Sequence, residues 1–227
     1  MNVRALAAAL TVGALAAAGC GADTEGPAAP AAVHQAGTPA NAQQLLVLAH
    51  VLEANRQHGG ARFTARLDVH DGHAVATGRV DFHSGRGTAL LRPVSASGGA
   101  PRRFYWTRHA VLTQTTPGGA RYARQAPDPQ GDPVHAMIGF INLLAAETID
   151  NTTNIRDQDA RLLRHTTIDG ASTDEYNYGP RASTTLWVQR ADGLLRRVRT
   201  DRVPGGLTVD LTTHEPIRIT LPARRDG

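Results

Sequence analysis

Along this chain the spacing of apolar residues changes period repeatedly, and each change marks an element. Ala42, Leu45, Leu46, Ala49 and Leu52 or Glu53 recur at helical spacing until Gly59-Gly60 stops the run, and Asn41 stands where an N-cap belongs. The spacing predicts one amphipathic helix, with Leu45, Leu48 and Leu52 packed on the domain and His50 and His58 facing solvent. From Phe63 the period becomes two. Phe63, Ala65, Leu67 and Val69 share one face, and Arg62, Thr64, Arg66 and Asp68 share the other. Asp71-Gly72 is a hairpin turn signal, and the return strand puts Ala74, Ala76, Gly78, Val80 and Phe82 on the inner face. The small residues Ala74, Ala76 and Gly78 leave room over the sheet that a helix or a ligand must fill. Turn signals at Ser84-Gly85, Gly98-Gly99 and Pro117-Gly118-Gly119 separate strands near Thr88–Ser95, Arg102–Arg108, Ala110–Thr115 and Arg121–Arg124. This is an antiparallel meander with one apolar and one wet face.

A Pro/Asp/Gly-rich break from Ala126 to Pro133 ends the meander. Asp132-Pro133 opens a helix, the acid as cap and proline at the first helical position. Val134, Met137, Ile138, Phe140, Ile141, Leu143 and Leu144 form a girdle broader than the stripe of a surface helix, so this helix is expected to be buried on more than one side. It is either a core helix or a mobile gate over a ligand. Asp150 to Asp159 is polar, a second short helix or a loop at the rim. Hairpins then return, with strands expected near Arg161–Ile168, Thr173–Tyr178, Thr184–Arg190, Leu195–Arg202, Leu207–Thr213 and Ile217–Leu221.

The N-terminus follows a different pattern. After Arg4, an apolar run from Ala5 to Ala18 is about fourteen residues long, short of the roughly twenty that span a membrane. A charged start, an apolar middle and small residues before a cut describe a secretory signal peptide. The run ends Leu15-Ala16-Ala17-Ala18-Gly19-Cys20, and Cys20 is the only cysteine of the chain. This resembles the bacterial lipobox, in which the cysteine sulfur takes a diacylglycerol and the chain is cut ahead of it. Ala17 stands where the usual lipobox has Leu. The competing expectation is a soluble secreted protein cut at Ala16-Ala17-Ala18, which would leave a free thiol open to oxidation. Lipidation removes that thiol. Residues 1–19 are thus expected to be a signal peptide, 20–41 a lipidated disordered tether of Ala, Pro, Gly and small polar residues, 42–223 one folded domain and 224–227 a tail. The expected location is the extracytoplasmic face of the cell membrane, held by the lipid on Cys20.

Charge and chemistry narrow the function classes. All 24 basic residues are Arg against 20 acids, a formal charge of +4. With aromatics at 4% there is no base-stacking platform, and an exported protein rarely meets nucleic acid, so no nucleic-acid partner is expected. A mildly basic surface beside an anionic leaflet is the simpler account. Arg196, Arg197, Arg199 and Arg202 put charge on both faces of one strand. This predicts an edge or rim strand, or else a basic rim for anionic lipid headgroups. His70-Asp71-Gly72-His73 brackets a turn with His83 at the far end of the strand, too loose a frame for zinc, so no metal is expected. There is no G-x-S-x-G elbow and no phosphate-cradling loop. Asp174 and Glu175 are adjacent on a strand and point apart, and Ser172 and Ser183 have no base at recognisable spacing. No cofactor and no catalysis are expected.

Other residues together carry a family likeness: the opening helix before Phe63-Thr64-Ala65, Thr77-Gly78-Arg79-Val80-Asp81-Phe82, and Ile168-Asp169-Gly170 leading to Tyr176. They continue with Leu186-Trp187-Val188, Asp192-Gly193-Leu194-Leu195-Arg196-Arg197-Val198 and the closing Glu215-Pro216-Ile217. From about Ala42 to Ala223 the chain resembles the LolA-like lipoproteins of actinobacteria, the group that includes mycobacterial LprG and LppX. The resemblance implies an α+β fold: a strongly curved antiparallel sheet, an unclosed barrel of about ten to twelve strands, wrapped over two or three helices with an apolar cavity between. Members carry or receive acylated lipids or lipoproteins. The expected function is therefore a membrane-anchored exported lipoprotein, monomeric, that binds a lipid or acylated ligand in an apolar cup and does no chemistry on it. Phe63, Leu67, Ala76, Gly78 and Val80 from the sheet and Met137, Ile138, Ile141 and Leu144 from the helix would line the cup. The alternative is a sensor or interaction module of the same fold, its core closed by the Val134–Leu144 helix, acting on an envelope protein partner.

Overall fold

The computed structural model describes residues 37–69, 72–94, 99–150, 152–179 and 183–223. Cys20, the signal peptide, most of the tether, the Asp71 turn position and the tail lie outside the described residues. The chain runs β1 (Thr38–Pro39), α1 (Ala42–Gln57), then a meander β2 (Gly60–Val69), β3 (Gly72–Asp81), β4 (Arg86–Val94), β5 (Arg102–Thr107), β6 (Ala110–Gln114) and β7 (Tyr122–Gln125). Two helices follow, α2 (Pro133–Asn142) and α3 (Thr152–Asp157). A second meander completes the fold: β8 (Arg161–Ile168), β9 (Ala171–Tyr178), β10 (Thr184–Gln189), β11 (Leu195–Thr200) and β12 (Leu207–His214). All strands join one antiparallel sheet in the order β1-β8-β9-β10-β11-β12-β2-β3-β4-β5-β6-β7. The two meanders meet at the β12·β2 seam, where Leu207 faces Leu67 and Val209 faces Ala65. The sheet is curved and not closed, and it wraps over the three helices, as the α+β expectation has it.

Local chemistry sets the helices. At α1, Asn41 Oδ1 accepts from the Gln44 N–H at 3.0 Å while Gln44 Oε1 accepts from the Asn41 N–H at 2.8 Å, a reciprocal cap that satisfies two otherwise orphaned donors. Leu45, Leu48, Ala49 and Val51 are buried against the sheet, and Leu52 is partly buried. Leu46 is not part of that face; it projects to solvent, 45% exposed. At α2, Asp132 Oδ1 accepts from the Val134 N–H at 2.7 Å, and Pro133 occupies the first turn, where no N–H is needed. Val134, Met137, Ile138, Ile141 and Leu144 are buried. Leu143 is half exposed because the helix has already ended at Asn142 and the chain turns it outward.

Three expectations are corrected and one open choice is resolved. The domain begins before residue 42: Thr38 and Pro39 pair with Leu162 and Arg161, so the far end of the segment read as tether is a strand. Ile217 to Leu221 is not a strand. Ile217 and Ile219 are buried, but Pro216 and Pro222 bracket the segment, and proline cannot donate to a ladder. And β11 is no edge. It lies between β10 and β12, and Arg196 sits in a β-bulge opposite Trp187 and Val188, where an extra residue is accommodated without pairing. The polar stretch after Asp150, helix or loop by sequence, is a short helix, α3, held by its one buried residue, Ile155.

Candidate functional site

The residues expected to line a cup do converge. Phe63, Leu67, Ala76, Val80, Met137, Ile138, Ile141 and Leu144 belong to one core cluster, each 0–4% exposed, with α2 lying on β2. The room left by the small residues is occupied by protein. Gly78 faces Phe63 across the β2·β3 pair, and a Cβ there would lie 2.7 Å from Phe63 Cζ and 2.9 Å from Ala89 Cβ. Gly87 faces Trp106, and a Cβ there would fall inside the indole. The Phe63 and Trp106 rings then meet at 6.2 Å between centroids, tilted by 55°. Glycine serves here as space for two aromatic rings, which stack more tightly against bare backbone than any side chain would allow.

Three polar contacts pin α2 in this position. Trp106 Nε1–H donates to Asn142 Oδ1 at 3.2 Å. Asn55, wholly buried, donates to the Leu144 carbonyl at 2.7 Å and accepts from the Leu195 N–H at 3.3 Å, which ties α1, the end of α2 and β11 together. His135, also buried, accepts at Nδ1 from the Asp128 N–H at 3.0 Å, with the Gln125 amide 2.9 Å from its Nε2. Trp106, Asn55 and His135 thus each find a hydrogen-bond partner, as burial demands. None of the three was expected from the sequence. His135 is a polar residue inside an apolar run, which is the signal that could have found it; Asn55 stands among Glu53, Arg56 and Gln57 and carries no such signal.

Two open depressions among the described residues lie elsewhere, and each has more polar than apolar lining. One, of about 550 Å³, lies where the β8–β9 and β10–β11 turns meet the ends of α1 and β12, lined by His58, Asp169, Asp192, Arg196, Thr212 and His214 among others. Burial, then the charges of Arg196 and His58, lower the His214 imidazole from 6.5 to about 4, against a smaller opposing pull from Asp192. Both its nitrogens and Arg196 Nε are buried without a hydrogen-bond partner. The other depression, of about 520 Å³, is bounded by Arg103, Tyr105, Gln114, Gly118, Tyr122 and Pro222. Of the turn histidines, His73 pairs with Asp68, and among the described residues no group of His, Cys, Asp and Glu is placed to hold a metal ion.

A curved, unclosed antiparallel sheet wrapped over helices, with an apolar helix buried against its inner face, defines a class of half-barrel folds. Within that class, the chain is similar to the crystal structure of LprF from Mycobacterium bovis, with a TM-score of 0.51 at 14% sequence identity, over 83% of this chain and 100% of that one. The likeness supports a LolA-like fold. An uncharacterized conserved protein from Thermus thermophilus aligns with a TM-score of 0.42 at 11% identity, over 77% of this chain and 87% of that one. No protein-family model matches the sequence, and no curated protein does.

Proposed function

We propose that this chain is an exported, membrane-tethered binding protein that takes an acyl chain of a lipid or lipoprotein between α2 and the sheet, with no chemistry done on the ligand. Cys20 carries the anchor, and residues 1–19 are removed as a signal peptide. The observation that supports the reading is the nature of α2. It is a ten-residue helix with no charged side chain, buried against the inner face of an open sheet, and held there by a handful of hydrogen bonds. An acyl chain could replace the same apolar contacts at roughly 25 cal/mol per Å² of buried surface. Opening would part Asn55 and the Trp106 indole N–H, both wholly buried, from the Leu144 carbonyl and Asn142, with α2 acting as the gate.

The second reading, a sensor or interaction module with a permanently closed core, is favoured by the filled space over Gly78 and Gly87 and by the fully satisfied Asn55 clamp. Extraction of the purified chain for co-bound lipid separates the two, together with Ala76→Phe. A carrier yields bound acyl lipid, and the variant blocks uptake while leaving the fold intact. A closed core yields no lipid, and the variant is overpacked by about 1–3 kcal/mol. For the anchor, Cys20→Ala should move the protein from the membrane fraction to the medium or leave an uncleaved precursor. A cleaved variant that stays in the membrane defeats the lipoprotein reading.

A further inference from the structure

The arginines of this chain are divided unevenly, and the division follows the fold. Residues 82–127 hold seven Arg and not one Asp or Glu, whereas the other 17 Arg share the chain with all 20 acids. That span is β4 to β7 with its turns. Among the described residues none of its seven arginines forms an ion pair, while arginines of β2, β8 and β11 do. Strand register places the exposed Arg92 and Arg124 and the half-buried Arg103 on the outer face, the face opposite the core. Arg92 lies across from Val75, Arg103 from Leu90, and Arg124 from Leu112.

Between these cations stand residues that prefer a water–lipid boundary. Tyr105 and Tyr122 meet edge to face at 5.4 Å on the same surface and, with Arg103, wall the 520 Å³ groove. Val94, two residues from Arg92 and on the same side of β4, is 57% exposed. Protection of the β7 edge would account for Arg124, but Arg92 and Arg103 lie on interior strands where no edge needs guarding. We infer that the outer face of β4–β7 docks on an anionic phospholipid surface, the arginines on headgroup phosphates, the tyrosines at headgroup level, and the Arg103–Tyr105–Tyr122 groove on one headgroup. The occupant is a membrane because the face mixes unpaired cations with amphipathic and apolar side chains, the combination that interfacial binding uses. A purely ionic partner would have no use for Val94 or the tyrosine rings.

The inference rests on the reading that the protein works at a membrane, yet its test is independent of lipid uptake. The chain from residue 35 contains every described helix and strand and lacks Cys20. It is sedimented with vesicles of phosphatidylcholine alone and of phosphatidylcholine doped with phosphatidylglycerol. It should bind the second and not the first, and salt should release it as surface charge is screened. At about fivefold per arginine near an anionic surface, Arg92→Gln, Arg103→Gln and Arg124→Gln combined should weaken binding on the order of 100-fold. Arg199→Gln, on the ion-paired side, should change it little. If the combined variant misfolds by circular dichroism, Arg103→Gln and Arg124→Gln singly give the same reading. Equal binding to both vesicle types, or a folded variant that binds like wild type, overturns the inference. So does soluble polyphosphate that binds more tightly than vesicles and displaces them, since the partner is then an anionic polymer. Failure here with acyl lipid still extracted from the wild type would sink the docking face and leave the carrier reading standing.

Discussion

The two meanders treat the same residue type in opposite ways. In the second, with β2 beside it, arginines are absorbed into cross-strand pairs. Arg164 meets Glu175 at 2.6 Å, Arg190 meets Asp174 at 3.5 Å, and Asp210 is held between Arg66, at 2.6 Å, and Arg197, whose guanidinium also lies 5.8 Å from the Trp187 ring centre. Register makes this one continuous row, Arg164–Glu175–Trp187–Arg197–Asp210, each residue directly opposite the next. Opposed charges and aromatic neighbours at that spacing stabilise a sheet by a few tenths to about 1 kcal/mol per pair. In β4–β7 the row continues without acids. Thr64 faces Thr77, Thr77 faces Leu90, and Leu90 faces Arg103. Composition alone would call both halves basic. Among the described residues, arginines of one half enter cross-strand ion pairs and those of the other enter none.

The largest effect comes from breaking the seam that joins the halves. Leu67 lies on β2 opposite Leu207 and Ala74, fully buried. Leu67→Asp buries an unpaired carboxylate, and thermal denaturation should find no folded domain. Asp68→Asn, one residue along on the wet face, should shift stability by less than about 1 kcal/mol. Equal behaviour would mean that the register is wrong and that the halves do not meet here.

Next comes the paired half itself. Asp210 is 6% exposed and serves two guanidinium groups. Asp210→Ala removes both charge-assisted bonds and leaves Arg66 and Arg197 facing each other. Urea denaturation should show a loss of about 2 kcal/mol. A neutral result would put the row in the class of surface pairs that contribute nothing.

Acidification sharpens the contrast from another side. The His214 pKa falls from 6.5 to about 4 in the folded chain, so between those values the unfolded state binds the extra proton. Stability from this group is therefore complete above about pH 6.5 and is lost as pH falls toward 4. His214→Gln should flatten that slope in melting temperature. An unchanged slope in the variant would assign it to the carboxylates of the ion-paired row instead.

Much of this was legible in the sequence because local rules decided it. Asn41 and Asp132 are caps, and the alternation through Phe63, Ala65 and Leu67 held against the β2–β3 register. What fills the space over the sheet was not legible. Gly87 and Trp106 are nineteen positions apart, and the loop between their strands does not fix which residue faces which. Asn55 reads as one more polar position on α1 until the end of α2 and β11 are placed against it. Ile217 to Leu221 alternates as a strand does, but Glu215 spends its N–H on the Gly60 carbonyl and no ladder follows. The uneven division of arginine lay open in the sequence, yet only the ion pairs gave it meaning.

The smallest predicted effect is the most direct test of the comparison. Arg124 stands exposed on the outer face of β7, across from Leu112, with no acid in the strands around it. If arginine in this half carries no structural role, Arg124→Gln forfeits no pair and relieves repulsion from its cationic neighbours. Stability should stay within about 0.5 kcal/mol of wild type, the usual range for a surface change away from special features, and should shift upward if at all. The upward shift should be clearest at low ionic strength and fade with added salt, because exposed charges more than about 10 Å apart are screened at 0.1 M. Arg197→Gln, measured alongside, should move the other way, since it strips one of two partners from a buried carboxylate. A loss of more than about 1 kcal/mol from Arg124→Gln would mean that the acid-free half depends on its arginines for folding, and the division between structural and available charge would no longer hold.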